Sequence, residues 1–284
     1  RADEFALRPV LSYEEIAKKG GGILSTVTGV REATEEDLLE VNRVLLRSFV
    51  AQGTTTVEVK SGYGLSLEAE LKQLRVIQQL QQELQDVIDI VPTFLGAHAT
   101  PPDTTTAAYV RDQVVAEMIP QIAELGLAEY VDVFCEEGYF GPEESRAVLE
   151  AGLAHGLRVR LHADEFVDSR GAELGAELGA HSADHLMAIS QRGIEALAAT
   201  AHTSTPTVPI LLPGTTLFLG KGHGYAPAKA LLEAGCAVAL ATDCNPGSSV
   251  YSSMPLMMQL GLTQMGMSLD QVFLAATFNP ALSL

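Results

Sequence analysis

The chain has 284 residues, 47% of them hydrophobic, enough for one large barrel or two modest domains around a substantial core. A formal charge of −18 without any clustered Lys/Arg patch argues against nucleic acid and against an anionic membrane surface as partners. A small anionic ligand would need a specific local cation. No apolar run approaches the ~18–20 residues that span a bilayer. The three cysteines, Cys135, Cys236 and Cys244, are odd in number and form no C-x-x-C pair, so no disulfide framework is expected and a reducing, cytoplasmic setting fits.

In chain order, Thr34 to Asp37 reads as a capping box that opens a helix with Leu38, Val41, Leu45 and Phe49 on one face. TTTVEV (54–59) is the first strand. Ser66 then precedes a second helix with Leu67, Leu71, Leu74, Ile77 and Leu84 in register. IDIVPTFLGA (88–97) and YVDVF (130–134) are the next strands, and Pro142 and Gly156 bracket the helix that follows. RVRLHA (158–163) and HSADHL (181–186) flank GAELGAELGA, read as a glycine-loosened helix. PTVPILL (206–212) and AVALAT (237–242) complete the strands, with Pro227 and Gly235 around the helix between them. Near-continuous apolar strands alternating with helices predict a parallel sheet covered by helices, an α/β fold of the (β/α)8 TIM type. Seven strands are predicted where eight close such a barrel, and no linker divides the chain, so residues 1–284 read as one incomplete barrel domain.

Reactive groups stand at the C-terminal ends of these strands. Lys60 and Tyr63 follow the first, His98 the second, and Cys135, Glu136 and Glu137 the third. His162 and Glu165 follow the fourth, His185 the fifth, and Asp243 and Asn245 the last. The strand before Thr215 is the exception. Active sites of TIM barrels occupy that rim, which makes chance an unattractive account of the pattern. Neutral imidazole and carboxylate make His162 and Asp243 candidate ligands for zinc or iron, though a catalytic site needs about three protein ligands. The rest of the set is expected from an eighth strand. Gly62 and Gly64 let the backbone carry the Tyr63 hydroxyl toward a ligand. Cys244 reads as a packed neighbour of Asp243, His155 and His202 as surface positions, and the glycine-rich GKGHGYAP segment as a rim loop with the wrong spacing for phosphate.

HADEF (162–166), SADHL (182–186), TDCNPGSS (242–249), SGYGL (61–65), FLGAH (94–98), GGGILSTV (20–27) and RADEF (1–5) together resemble the imidazolonepropionase family of the amidohydrolase superfamily. The resemblance runs along the whole chain. It implies metal-dependent opening of the cyclic amide 4-imidazolone-5-propanoate to N-formimidoyl-L-glutamate, with one divalent or trivalent ion, zinc or iron. It also implies His162 and Asp243 as metal ligands, and His185, Glu165 and Asp243 as the groups that move protons or stabilise charge. Arg1, Tyr63, His98, Glu165, Asn245, Gly247 and Ser248 match substrate contacts, with Tyr13 a further candidate. The partners implied are a small anionic substrate and, at full length, a second copy in a homodimer. The family's His-x-His pair would lie just before Arg1 and its flanking β-sandwich segments outside the 284 residues, so an incomplete chain is expected. Two other readings stay open: a ring aminohydrolase of the same superfamily, and a metal-free fragment that only binds small molecules.

Overall fold

In the computed structural model, which describes Glu15, residues 21–220 and residues 224–284, seven parallel strands stand in chain order in one curled sheet. They are β1 Thr56–Lys60, β2 Asp89–Ala97, β3 Tyr130–Cys135, β4 Arg158–Ala163, β5 Ser182–His185, β6 Val208–Leu211 and β7 Ala239–Leu240. Each lies within or one residue beyond a run predicted from sequence. Every neighbour pairs in parallel, so each connection must cross over one face and return, and helices make those crossings. The result is a partial (β/α)8 barrel. Among the described residues β1 and β7 are its two edges.

The helices form where their signals predict. Thr34 Oγ1 accepts the Asp37 N–H at 3.1 Å and Asp37 Oδ2 accepts the Thr34 N–H at 2.9 Å, starting Glu35–Ala51 with three acidic residues in its first turn. Pro142 opens Pro142–Ala154, and Gly156 follows with φ +80°, which a side chain would strain. One expected face differs. Helix Glu35–Ala51 buries Leu39, Leu46 and Phe49, whereas Val41 is 67% exposed. The helix carries two overlapping apolar stripes, and packing against Leu67–Leu84 selects the one centred on Leu39 and Leu46. Tyr109–Met118 winds as a π-helix that no sequence pattern announced.

The strands differ from the near-continuous apolar runs that the sequence predicts. Their outward faces are: Phe94, Val131, Val133, Val159, Leu161, Ala183, Leu211 and Leu240 pack beneath the helices in the main core. Each fully buried Leu, Val or Phe there contributes roughly 1.5–3 kcal/mol. The inward faces of β1, β3, β4 and β5 carry Glu58, Lys60, Asp132, Arg160, His162 and Asp184 instead. The alternation was visible in VEVK, VDVF and RVRLH as period-two spacing of charge.

Candidate active site

Below the rim, Lys60 Nζ sits among three carboxylates: Asp132 Oδ2 at 2.6 Å, Glu58 Oε1 at 2.9 Å and Asp184 Oδ2 at 3.5 Å. Glu58 also accepts the Thr93 hydroxyl at 2.5 Å and pairs with the buried Arg160 guanidinium at 3.3 Å. Asp132 Oδ1 then accepts the His162 ring Nδ1–H at 3.0 Å and its backbone N–H at 3.2 Å. That pair fixes the ring's tautomer and leaves Nε2 for the cavity. Burial disfavours charge on His162, but the Asp132 carboxylate outweighs it and raises the ring to about 9.

Above this layer, aromatic rings run along the rim. Tyr63 meets His98 edge-on at 5.1 Å between centroids, His98 lies 6.0 Å from His162, and His162 lies 5.4 Å from His185. His98 Nδ1–H donates to the Gly62 carbonyl at 3.0 Å, and burial pushes that ring down to about 4. Strand alternation would send His185 toward the helices. Its φ of +78° at the strand end returns the ring to the cavity, a strained conformation of the kind found at functional sites. His185 Nδ1 is buried without a hydrogen bond, and Glu165 Oε1 stands 3.6 Å away. Burial pushes His185 down to about 3 and Glu165 well above its usual range, with the Asp243 charge adding to the latter. His185 is therefore neutral near pH 7, and burial favours the protonated carboxyl of Glu165. The Glu165 loop is held by buried Glu136, which accepts the N–H groups of Glu165, Phe166 and Val167 at 2.8–3.2 Å. Asp164 accepts the N–H groups of Ser169, Gly171 and Ala172, so it serves the loop and not the cavity.

At the end of β7, Asp243 Oδ2 accepts the Thr215 hydroxyl at 2.6 Å and the Ser248 hydroxyl at 3.3 Å. Thr215 fills the position that the sequence left without a reactive group. Asn245 accepts the N–H groups of Gly247 and Ser248 at 2.8 and 2.7 Å and donates to the Asp243 carbonyl at 2.7 Å, closing the turn around Asp243.

One cavity of 1190 Å³ is lined by Tyr63, His98, His162, Glu165, His185, Asp243, Asn245, Gly247 and Ser248. It runs on between β1 and β7, the two sheet edges among the described residues. Nine of the predicted site residues thus converge, while Arg1 and Tyr13 lie outside the described residues. Sequence reasoning missed Lys60 and Asp132 as the support of His162, Glu136 as the support of Glu165, and Thr215. The first two were signalled by charge on alternate strand positions, and Thr215 by nothing local. His162 Nε2, once its proton has left, and the Asp243 carboxylate are donors suited to a divalent ion, and both residues line this cavity. Among the described residues, no group of three His, Cys, Asp or Glu side chains could hold a metal. The pair fits as two ligands of a site, short of a whole one.

No protein-family model matches the chain. It is 49% identical over 284 residues to an imidazolonepropionase of Geobacillus sp. (strain WCH70), covering 99% of this chain. Along nearly its whole length the chain is similar to imidazolonepropionases. It spans 65% of the length of that relative and of another from Brevibacillus brevis. An adenine deaminase from Arthrobacter aurescens shares its fold with a TM-score of 0.71 at 14% identity, over 100% of this chain and 82% of that one. A mutant atrazine chlorohydrolase from the same species, complexed with zinc, does so at 0.62 and 15%, over 88% and 60%. The chain therefore shares its barrel fold with these proteins. The segments HADEF, SADHL and TDCN supply residues that meet at its rim.

Proposed function

We propose that these residues form one catalytic barrel domain that hydrolyses 4-imidazolone-5-propanoate to N-formimidoyl-L-glutamate. The carrying observation is the convergence of Tyr63, His98, His162, Glu165, His185 and Asp243 on one cavity, in a chain 49% identical to an imidazolonepropionase. A zinc or iron ion would be held by Nε2 of His162 and the carboxylate of Asp243, with further ligands from outside the described residues. When bound, such an ion supplies a water acidic enough to lose its proton near neutral pH.

The chain's own groups then divide the remaining work. Water adds its oxygen to the ring acyl carbon, the adjacent C–N bond breaks, and the freed nitrogen takes a proton. Asp243, fixed by Thr215 and Ser248, accepts the proton leaving that water. His185, neutral and unpartnered at Nδ1, stabilises charge developing on the acyl oxygen. Glu165, whose protonated form burial favours, orients the substrate by hydrogen bonds to the ring nitrogens. His98 and Tyr63 close the opposite wall, and Arg1 is the proposed partner of the propanoate carboxylate, since a guanidinium matches it bidentately. Asn245, Gly247 and Ser248 shape the floor beside Asp243.

A reducing cytoplasmic setting, no nucleic-acid or membrane partner and a homodimer at full length complete this reading. It is supported by the free cysteines, the acidic charge and the absence, among the described residues, of a helix long and apolar enough to cross a membrane. The test is turnover by the zinc-loaded full-length protein. Loss of imidazolone and appearance of N-formimidoyl-L-glutamate are expected, with His162→Ala and Asp243→Ala each abolishing turnover and tight metal binding together. Ammonia release from a purine or pyrimidine base, with the imidazolone left intact, would replace this reading by a ring aminohydrolase.

A further inference from the structure

The loop over residues 61–65 carries Tyr63, and its Gly62 carbonyl fixes the tautomer of His98. One side chain outside the cavity governs that loop. Glu70, in the first turn of Leu67–Leu84, is completely buried. Its Oε2 accepts the Gly62 N–H at 2.9 Å, and its Oε1 accepts those of Gly64 and Leu65, both at 2.8 Å. The Tyr63 amide donates to Gln73 Oε1 at 3.3 Å, and that of Ser61 to the Thr93 carbonyl at 3.0 Å.

The carbonyls face the other way and meet Arg31. Its Nε donates to the Gly64 carbonyl at 2.7 Å and its Nη2 to that of Leu65 at 3.2 Å. Lys72 Nζ in turn donates to the carbonyls of Val30 at 2.8 Å and Ala33 at 2.7 Å, tying the helix that carries Arg31 to the helix that carries Glu70. The loop has no room to relax. A Cβ on Gly62, at φ +107°, would stand 2.8 Å from the Leu95 carbonyl oxygen, and one on Gly64 2.6 Å from the Glu70 nitrogen. A buried carboxylate is tolerated when amide donors saturate it, and three such bonds here all come from residues 62–65.

We propose that Glu70 is a positioning residue that sets Tyr63 and His98 against the substrate, acting through the backbone of residues 62–65. The identity of the substrate rests on the hydrolase reading above; the grip of Glu70 on the loop does not. A glutamine at this position keeps the shape but turns an N–H toward at least one loop amide, so the fork can no longer accept on both sides.

The experiment pairs hydrogen exchange with kinetics in the full-length protein. In Glu70→Gln, amides in the peptide spanning residues 61–66 are expected to lose protection. KM for 4-imidazolone-5-propanoate is expected to rise about tenfold, the scale of a lost charge-assisted bond, with kcat within about twofold. In a double-mutant cycle, the KM effect of Tyr63→Phe should disappear in the Glu70→Gln background, because the loop no longer presents the hydroxyl. Unchanged exchange, strictly additive effects, or a fall in kcat at constant KM would each overturn the proposal. If Glu70→Gln does not fold, Arg31→Lys releases the same loop from its carbonyl side and is read in the same way. Should the parent leave the imidazolone untouched, the substrate reading fails, and the exchange data still decide whether Glu70 holds the loop.

Discussion

Strands β1, β3, β4 and β5 turn charge toward the barrel interior, whereas Val208 and Ile210 of β6 and Ala239 of β7 join Leu212 in a separate small apolar cluster. The two regions meet under one cavity, and they hold their functional groups by different means. On the charged side, Lys60 and Asp132 fix His162 in one rotamer and one tautomer. On the apolar side, Asp243 sits on short aliphatic strands and is oriented from the rim by the Thr215 and Ser248 hydroxyls. Histidine chemistry follows the same division. His162, above its carboxylate, is raised to about 9, while His185, 5.4 Å away between ring centroids with no hydrogen bond at Nδ1, is lowered to about 3. A buried carboxylate beneath one ring separates two otherwise similar residues. Polar structure is concentrated where a side chain must be held to a single geometry.

Removing one member from each half sharpens this contrast. Lys60→Met leaves Glu58, Asp132 and Asp184 facing one another without the cation between them. A loss of about 3 kcal/mol in unfolding free energy is expected, read from the denaturant midpoint at constant slope. A midpoint equal to the parent's would show that the carboxylates are already neutralised some other way. Ile210→Ala removes aliphatic volume from the opposite half, where the cavity runs alongside and no charge is uncovered. About 2 kcal/mol is expected, the low end for such a truncation, because the site already borders open space. A larger loss than that of Lys60→Met would invert the comparison.

Much of the site could be read from the sequence because strand-end positions carry it. His98, His162, Glu165, His185 and Asp243 each follow an apolar strand, and parallel strands bring such ends together whatever the details. What lay beneath them was harder to read. Glu58, Lys60, Asp132 and Arg160 look like ordinary strand polarity until the sheet curls and places them face to face. Thr215 reaches Asp243 across 28 residues of sequence, and no local pattern announces such a bond. His185 faces the cavity only through a left-handed backbone, which a non-glycine residue does not signal. The stripe on Glu35–Ala51 was misjudged because two apolar faces overlap there and only tertiary packing chooses between them.

In the proposed function, the charged half presents Nε2 of His162 and the apolar half presents the carboxylate of Asp243 to one ion beside the substrate. Anomalous diffraction at the zinc edge, from crystals of the zinc-loaded full-length protein, tests it most directly. The account predicts a single strong peak within about 2.0–2.2 Å of both His162 Nε2 and an Asp243 oxygen, with the His162 Nδ1 bond to Asp132 intact. A peak bound elsewhere, or a His162 ring flipped so that Nδ1 meets the zinc, would contradict it.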